Sequence, residues 1–577
     1  MAIVLTHAIG HAKSSPCECH PACHQGTFTS QAAGKQGNRL CEALLRVTEL
    51  LAVHLRLQSA PRATAASTAA APDVPSDMWH VTDAARAVDD PRDVVALTCP
   101  AQLRQDVWER VLLCQFHDVL PGSSIGAVHH DARTIHTQCL ALLDDLIRRC
   151  AARSLGLTTP AVLQPQLVWP AAAATWHRFD GLAFTPPGSE DATVDSSAAA
   201  AADSVPLADS ATCSAVSVFN PCSVQRDVVV AVPANKPVSR AVDSGLSREC
   251  DGIAVDAAQR LVRVVVPPMS GITVSTAEAD AAADTTGTAV TAVHGTSSDG
   301  APTLTIGNGI ITVTLCMASA RVLSMVDHRC GDREAISSTR AGNAFTLFDD
   351  VPFYWDAWDV MPYHLETARE VNGRGCVGAR VDVTECGPLR VVGRAVLPLL
   401  PPSSTAPAGA PTSTIRQLIV VTQGSPVVTF ECEVDWHETH KLLKVEFPLA
   451  LHATEAAFET QVAYQKQLLH ATRCLCGLST AVGFKWLMHL QPSIVIPSLI
   501  VVCWMYAVQF GYLKRPVTTN TSWEVAKYEV CGHRWADISE YGFGVALLND
   551  SKYGFCCRNN TIAMVRHFLN TAAAFTL

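Results

Sequence analysis

The sequence has 577 residues, of which 48% are apolar and 17% are charged, and its formal net charge is −10. This length predicts about four domains with a large core, and the composition excludes a disordered tail protein. The acidic balance argues against a dedicated nucleic-acid binder, which usually carries a basic domain.

The cysteines and the N-terminus point to a cytoplasmic protein. The 22 cysteines are too sparse for a disulfide scaffold, so we expect most of them, such as Cys114, Cys139 and Cys150, to be reduced and buried. Residues 1–9 lack a basic start and are followed by Gly10, which does not fit a signal peptide.

Helical periodicity marks the first 155 residues. We predict one helix over residues 37–57, an Ala/Pro/Ser linker over 61–77, a second helix after Pro100 and a third over 125–150. Each helix has an apolar stripe. The stripe of the first helix consists of Leu40, Leu44, Leu45, Val47, Leu50, Leu51 and Val53, and that of the second of Val107, Val111, Leu112 and Cys114. The stripe of the third helix consists of Ile135, Cys139, Leu142, Leu143 and Leu146.

From about residue 160 the periodicity changes to that of strands. β-Branched runs separated by Gly, Pro and Asn occur at 215–233, 259–268, 304–315, 389–400, 415–436 and 543–550. They predict antiparallel β-sandwich domains. We expect the Ala/Ser/Asp-rich stretches 188–212, 276–301 and 401–414 to be surface loops or linkers.

The segment 115–124, QFHDVLPGSS, is the one that suggests chemistry. A His–Asp pair, His117 and Asp118, stands at the end of a helix and directly before a Pro-Gly turn. Imidazole is a common zinc ligand, and the neighbouring carboxylate can bind a substrate hydroxyl. Taken alone, the pair favours a plain helix C-terminus, where a histidine interacts favourably with the helix dipole.

The longer string LLCQFHDVLPGSSIGAVHHDA, residues 112–132, resembles the helical-domain signature of the zinc-dependent α-mannosidases of glycoside hydrolase family 38. Residues 24–52 resemble the end of that family's catalytic domain. Residues 342–367, 434–448 and 515–555 resemble its C-terminal β domains, with the cytosolic branch as the nearest match.

This resemblance implies a retaining glycosidase, in which one carboxylate attacks the anomeric carbon and another acts as acid and base. It implies that His117 is a zinc ligand and that Asp118 hydrogen-bonds the sugar. In the family, the nucleophile, the acid and the other zinc ligands precede the string that starts at His24. Residues 1–23 contain no Asp. We therefore expect an N-terminally truncated chain, which is inactive alone and binds zinc weakly or not at all.

The acidic and aromatic string FDDVPFYWDAWD, residues 348–359, is a second candidate for sugar contacts. Carboxylates accept hydrogen bonds from hydroxyls, and aromatic ring faces cover the C–H side of a sugar. The alternative is a β-domain loop with core tryptophans and solvated acids. With the family resemblance, Asp356 and Trp358 become candidate substrate-binding residues.

Two histidine-rich segments have simpler interpretations. Residues 17–24, CECHPACH, look like a zinc cluster, but so short a run cannot easily surround one tetrahedral ion. His129, His130 and Asp131 are predicted to form a solvated face of the third helix.

Residues 493–510 form 18 uncharged, mostly apolar positions, long enough to cross a bilayer. They interrupt a β domain, however, and the family-like sequence continues smoothly from Gln461 to Phe510 when residues 462–509 are removed. We predict that 462–509 is a non-native insert, such as a translated intron. A membrane helix and a natural loop insertion are the alternatives.

Together these patterns predict an α+β multidomain fold, with a helical-bundle middle domain followed by antiparallel β-sandwich domains. The predicted function is α-mannosidase activity on mannose-containing oligosaccharides, with no nucleic-acid or membrane partner. One alternative is a catalytically incompetent or carbohydrate-binding remnant of the family, and another is a membrane-anchored β-sandwich interaction protein. The predicted segments are a catalytic-domain remnant at 1–60, a linker at 61–99, the middle domain at 100–155, a small β domain at 160–280 and the C-terminal domain at 300–577.

Overall fold

A computed structural model of the chain describes residues 2–6, 25–59, 103–154, 215–220, 224–233, 259–268, 270–275, 288–353, 358–373, 376, 378–399, 413–469, 502–550 and 553–569. The architecture is mostly antiparallel sheet with few helices. The predicted linker at 61–77, the cysteine-rich run at 17–24 and Asp356 lie outside the described residues.

Three helices share one apolar core. α1 spans Ala32–Ser59, a short π-helix at Arg104–Trp108 leads directly into α2 at Glu109–Cys114, and α3 spans Gly126–Ser154. Apolar residues three or four positions apart face the same side, so each helix buries one stripe. The buried members of this core are Cys41, Leu44, Leu45, Leu51, Leu55, Val107, Val111, Cys139, Leu143, Ile147 and Cys150.

Two residues of the predicted stripes face solvent. Val53 and Leu112 are exposed, at 53% and 54%. Val53 lies between the buried Leu51 and Leu55, and neighbours two positions apart on a helix face nearly opposite sides. The prediction that Cys114, Cys139 and Cys150 are buried free thiols is confirmed.

The remaining elements are strands, 3-10 segments at Gln25–Phe28, His328–Cys330 and Pro362–Thr367, and a one-turn helix α4 at Ser522–Val525. The strands in chain order, β1 to β24, are Ala2–Thr6, Ala215–Asn220, Arg226–Pro233, Gln259–Val266, Ser270–Ser275, Thr291–Thr296, Pro302–Gly307, Ile311–Cys316, Val322–Asp327, Arg333–Glu334, Ala344–Asp349, Arg369–Glu370, Arg380–Cys386, Arg390–Pro398, Thr414–Thr422, Val427–Asp435, Lys441–Pro448, Glu455–Leu469, Val502–Pro516, Val530–Cys531, Trp535–Glu540, Phe543–Asn549, Gly554–Arg558 and Thr561–Leu569.

Twenty of these strands form three large sheets around a common core, and the other four form the two-stranded sheets β2-β5 and β3-β4. A nine-stranded sheet has the order β13-β14-β15-β16-β1-β22-β21-β18-β19, a six-stranded sheet has β12-β11-β17-β24-β23-β20, and a five-stranded sheet has β10-β9-β8-β7-β6. Buried side chains from all three meet in one cluster, exemplified by Phe430, Phe447 and Leu304. The prediction that this part of the chain is mostly antiparallel sheet is confirmed.

Two features of the sheets differ from the sequence prediction. β1 pairs in parallel with both β16 and β22, so residues 2–6 lie inside the C-terminal sheet, and the sheet is not wholly antiparallel. Within the stretch expected to be loop, residues 291–296 form β6, because they pair with β7 along its whole length. Neither pairing can be predicted from the local composition of these segments, because each depends on hydrogen bonds to another strand.

The segment around the predicted insert is a long hairpin. β18 pairs with β19 along its length, with Thr460 opposite Gly511 and Val462 opposite Gln509. β18 also pairs with β21, but only at residues 456–458. Residues 502–510 are therefore strand, and not the membrane helix kept as an alternative. In the described part of the chain, no helix is long and apolar enough to cross a membrane.

α1 connects the helices to the sheets through contacts of Arg39. The buried Arg39 donates to the main-chain oxygens of His533 and Asn549, both at 3.3 Å, and its guanidinium lies 5.4 Å from the ring centroid of Tyr553. The main-chain N–H of Tyr553 in turn donates a hydrogen bond to the main-chain oxygen of Phe28 at 3.2 Å. The turn between α2 and α3 therefore stands on a scaffold that includes the C-terminal sheets.

Candidate functional site

The His–Asp pair lies in the turn between α2 and α3. We expected His117 in the last turn of its helix, which is wrong, because α2 ends at Cys114. The N–H groups of Gln115 and Phe116 bond to carbonyls only three residues back, at 3.1 and 3.2 Å, which tightens and ends the helix. His117 is thus displayed on an irregular turn.

His117 and Asp118 are in contact with each other and with solvent. Nε2 of His117 is 3.2 Å from Oδ2 of Asp118, and the two side chains are 63% and 40% exposed. Ser123 donates its hydroxyl to Oδ1 of Asp118 at 3.2 Å, and Ser124 donates to its main-chain oxygen at 2.6 Å. The small residues after the Pro-Gly turn therefore fix the orientation of the carboxylate.

Exposed apolar residues flank the pair in the sequence, and one of them contacts His117. The Phe116 ring centroid lies 4.3 Å from that of His117, and Phe116 is 56% exposed. Leu112, Leu113 and Ile125, on either side of the turn, are also exposed. A polar pair within exposed apolar surface is typical of a binding site.

Polar side chains on one face of α1 form hydrogen bonds with the turn. The buried Lys35 donates to the main-chain oxygens of Thr27 and Leu120, both at 2.7 Å. Gln115 donates to Asn38 and Glu42, both at 2.9 Å. One helix face therefore holds Gln115, two residues before His117, and Leu120, two residues after Asp118.

Burial sets the electrostatics of this support. It lowers the pKa of Lys35 well below its usual value, because none of the described carboxylates is close enough to offset the lost hydration. It also raises the pKa of Glu42, which the hydrogen bond from Asn38 opposes. These groups stabilise the turn through hydrogen bonds to main-chain and amide groups.

The far side of the turn packs closely against other residues. Gly122 has φ of +88°, and a Cβ there would lie 2.8 Å from the main-chain oxygen of Ser30. His129 was predicted to be solvated, which is wrong, because its side chain is buried beneath the turn. Burial lowers the pKa of His129, and a hydrogen bond to the main chain of Ser124 opposes this shift. His130 and Asp131 are exposed, as predicted.

The structure connects Trp358 to the same region through the 3-10 segment Gln25–Phe28. The main-chain oxygen of Trp358 accepts from the N–H of Gly26 at 2.8 Å. The next residue, Thr27, binds Lys35, which also holds Leu120. The loop of Trp358 and the His–Asp turn are thus anchored on one short segment.

Among the residues that the structure describes, no group of three or more His, Cys, Asp or Glu side chains could hold a metal ion. A catalytic zinc usually takes three protein ligands. His117 with Asp118 offers two donor groups at most, so the described residues do not form a zinc site on their own.

The spacing of the supporting residues along α1 could have predicted them from the sequence. Lys35, Asn38, Glu42 and the core residue Leu45 are spaced by three, four and three positions, so they share one helix face. Polar residues on the buried stripe of a helix need partners, and here the partners belong to the functional turn.

Domain profiles match most of the described chain. A profile described as "Alpha mannosidase middle domain" matches residues 22–153, which include α1 with α2 and α3. A profile described as "Glycosyl hydrolases family 38 C-terminal domain" matches residues 306–472 and 501–567. The interval between these last two ranges lies within the predicted insert.

Curated relatives are α-mannosidases by name. "Alpha-mannosidase 2C1" from Homo sapiens is 29% identical over 541 residues, which is 94% of this chain and 35% of the relative. "Alpha-mannosidase G" from Dictyostelium discoideum is 27% identical over 546 residues, 94% of this chain and 38% of the relative. The chain therefore spans little more than a third of the length of these relatives.

The fold is similar to that of a solved α-mannosidase from Enterococcus faecalis V583. The TM-score is 0.52 at 12% sequence identity, and the match covers 95% of this chain and 52% of that structure. At this identity the likeness concerns the fold alone.

Proposed function

Because the chain belongs to glycoside hydrolase family 38, carrying its middle and C-terminal domains, we propose that it works as part of an α-mannosidase acting on α-linked mannose in oligosaccharides. The observation that supports this most directly is the His117–Asp118 pair. It is exposed to solvent, set in apolar surface and held by buried hydrogen bonds. Such support is what a preorganised site requires.

Each residue of the pair has a separate proposed role. His117 presents an exposed imidazole, and we assign it as one ligand of a zinc site to which other residues must contribute. Asp118 has Oδ1 held by Ser123, so its carboxylate has a fixed orientation in which to accept a hydrogen bond from a sugar hydroxyl. Trp358 and Asp356 are assigned as further substrate-binding residues.

The covalent chemistry needs groups that these residues do not provide. Retaining glycosidases use a carboxylate nucleophile and a separate acid about 5–5.5 Å apart. The match covers little more than a third of each relative, and we place both groups in the part that it does not cover. The reaction thus requires the chain to be joined to, or assembled with, a nucleophile-bearing domain.

A non-catalytic, carbohydrate-binding role in the cytoplasm is the second candidate. It is supported by the same exposed pair, since hydrogen bonding to sugar hydroxyls does not require a nucleophile. In either case, we propose that residues 100–155 form a helical-bundle unit, that residues 300–577 form a β-sandwich unit, and that residues 462–509 are an insert in it.

A chimera tests the first proposal. Residues 22–577 of this chain would replace the matching portion of Alpha-mannosidase G, and zinc content and hydrolysis of an aryl α-mannoside would be measured. We expect His117→Ala to lower both, with at least about 100-fold loss in kcat/KM, because a direct ligand matters more than the residues behind it. Asp118→Asn should lower kcat/KM while zinc is retained.

His130→Ala is the matched control, because His130 is an exposed histidine on the neighbouring helix. It should leave zinc content and kcat/KM unchanged. An active chimera in which His117→Ala behaves like His130→Ala would contradict the assignment of His117.

A further inference from the structure

A shallow cavity of about 450 Å³ lies on the outer face of the nine-stranded sheet. Alternate residues of a strand face opposite sides, and Ala456, Phe458, Ala536 and Ile538 are buried in the core. The residues between them must therefore face outward. The cavity is lined by Ala457, Tyr512, Lys514, Trp535, Asp537 and Ala546.

Strand register explains why a cavity forms there. Ala457 of β18 lies opposite both Lys514 of β19 and Asp537 of β21, and Asp537 lies opposite Ala546 of β22. One row across four strands thus alternates large and small side chains. The two alanines form a floor, and the larger neighbours form walls.

Two aromatic rings form one wall. Tyr512 and Trp535 precede Lys514 and Asp537 by two residues, so they share the outward face. Their ring centroids are 6.2 Å apart with an interplanar angle of 43°, and Tyr512 is 51% exposed. Trp535 is half-buried, and tilted rings that are at least partly open to solvent offer apolar faces to a ligand with a C–H surface.

The opposite wall offers one group of each charge. Asp537 accepts a hydrogen bond from the Ser539 hydroxyl through Oδ1, and among the described residues no donor is bonded to Oδ2. Lys514 lies 3.7 Å from Glu455, and both side chains are more than half exposed, so this ion pair is weak. The cavity therefore provides both an acceptor and a donor for hydroxyl groups.

We propose that this cavity binds a pyranose unit of a mannose-containing oligosaccharide at a non-catalytic site. The rings contact the C–H face of the sugar, while Asp537 accepts from one hydroxyl and Lys514 donates to another. The volume is within the usual range for small-ligand sites, and the paired charges favour a neutral ligand. The choice of mannose among neutral sugars rests on the proposed function.

The site is separate from the His–Asp turn. Its lining residues lie on β18, β19, β21 and β22, whereas His117 lies between α2 and α3. A second sugar contact would keep a branched oligosaccharide near the molecule while another branch is processed. Binding at this cavity does not require zinc, a nucleophile or turnover.

The test measures binding of linear α-linked mannotriose to the full 577-residue chain by calorimetry, with maltotriose and a trigalacturonate as comparison ligands. We expect a Kd on the order of 1 mM for mannotriose, which corresponds to about −4 kcal/mol. The acidic trigalacturonate should bind at least about tenfold more weakly. Trp535→Ala and Asp537→Asn should each weaken mannotriose binding about tenfold or more.

Matched surface variants control for unspecific effects. Tyr541→Ala removes a fully exposed tyrosine in the turn between β21 and β22, and Trp523→Ala removes an exposed tryptophan of α4. Both should bind mannotriose as the unmodified chain does. Circular dichroism and thermal unfolding of all variants show which ones are folded.

His117→Ala separates this proposal from the proposed function. Binding that survives His117→Ala but is lost in Trp535→Ala supports the cavity, whether or not any of the proteins hydrolyses mannosides. Binding lost in His117→Ala and retained in the folded cavity variants would overturn the proposal, as would no measurable binding. Equal binding of maltotriose and mannotriose at the cavity would support the pyranose site and refute its preference for mannose.

Discussion

Lys35 of α1 donates its side-chain ammonium to the main-chain oxygen of Leu120, 85 residues further along the chain, at 2.7 Å. Lys35 is completely buried. Leu120 is three residues after His117, so this bond determines how the His–Asp turn is held above α1. A buried lysine bonded to two carbonyls is costly, which points to a positioning function.

Replacing this lysine should loosen the turn. Lys35→Met keeps the length of the side chain but leaves the carbonyls of Thr27 and Leu120 without their donor. We expect the free energy of unfolding to fall by about 1–3 kcal/mol. Hydrogen exchange should become faster at the N–H groups of Val119 and Gly122, which are hydrogen-bonded within the turn.

Lys514→Met is the matched control, since Lys514 is exposed on the sheet. It should change neither quantity. If Lys35→Met left exchange in the turn as slow as before, the positioning function of Lys35 would be refuted.

The periodicity of the sequence predicted most elements because burial of one face is a local property. The apolar spacing of α1 and α3, and the β-branched runs of β14 to β16, follow directly from which side faces the core. The turn could not be predicted in the same way. Its conformation depends on Lys35 and Gln115, whose partners are distant in sequence.

The end of α2 and the burial of His129 show a second limit. The residues from Gln115 to Val119 carry no strong helix-stopping signal, so the periodicity suggested a helix that continues to His117. The Pro-Gly turn folds back onto Ser30 and covers His129, and this contact arises only when α1 and α3 pack together. Tertiary packing therefore determines both where α2 ends and that His129 is buried.

Acid should destabilise the helical region through His136. This side chain is buried, neither ring nitrogen has a hydrogen-bond partner among the described residues, and burial lowers its pKa to about 4. In the unfolded chain the pKa is about 6.5, so between these values the unfolded state binds more protons. Stability therefore falls as the pH falls through this window, by up to about 1.4 kcal/mol per pH unit.

Urea unfolding at pH 7 and pH 5 measures this effect. The unmodified chain should lose about 2 kcal/mol more between the two pH values than His136→Leu does. His130→Leu changes an exposed histidine of the same helix, so it should keep the full pH dependence. Parallel loss in the unmodified chain and His136→Leu would show that His136 is not responsible.

The insert should be removable. The ladder of β18 and β19 beyond Gln461 has no other strand neighbour in the described part of the chain. Because Thr460 lies opposite Gly511, joining Gln461 to Phe510 closes a two-residue hairpin loop. We expect the Tm of this variant to stay within about 2–4 °C of the unmodified chain.

A shorter deletion, of residues 473–500, is the comparison variant, because this interval also falls outside the match to the C-terminal domain profile. Both deletions should fold. If the shorter one folded and the longer one did not, residues 462–472 and 501–509 would be integral strands of the sheet, and the predicted insert would be too long.

The 577-residue chain by itself should not hydrolyse α-mannosides at an enzyme-like rate. A retaining mechanism needs a nucleophile and an acid about 5–5.5 Å apart. Asp118 is already bonded to Ser123 and in contact with His117, so one carboxylate would have to serve several functions at once. Hydrolysis of an aryl α-mannoside, with added zinc and with a chelator, is the measurement. Strong activity that the chelator abolished would contradict this prediction, and it would mean that Asp118 and Asp356 supply a complete site within this chain.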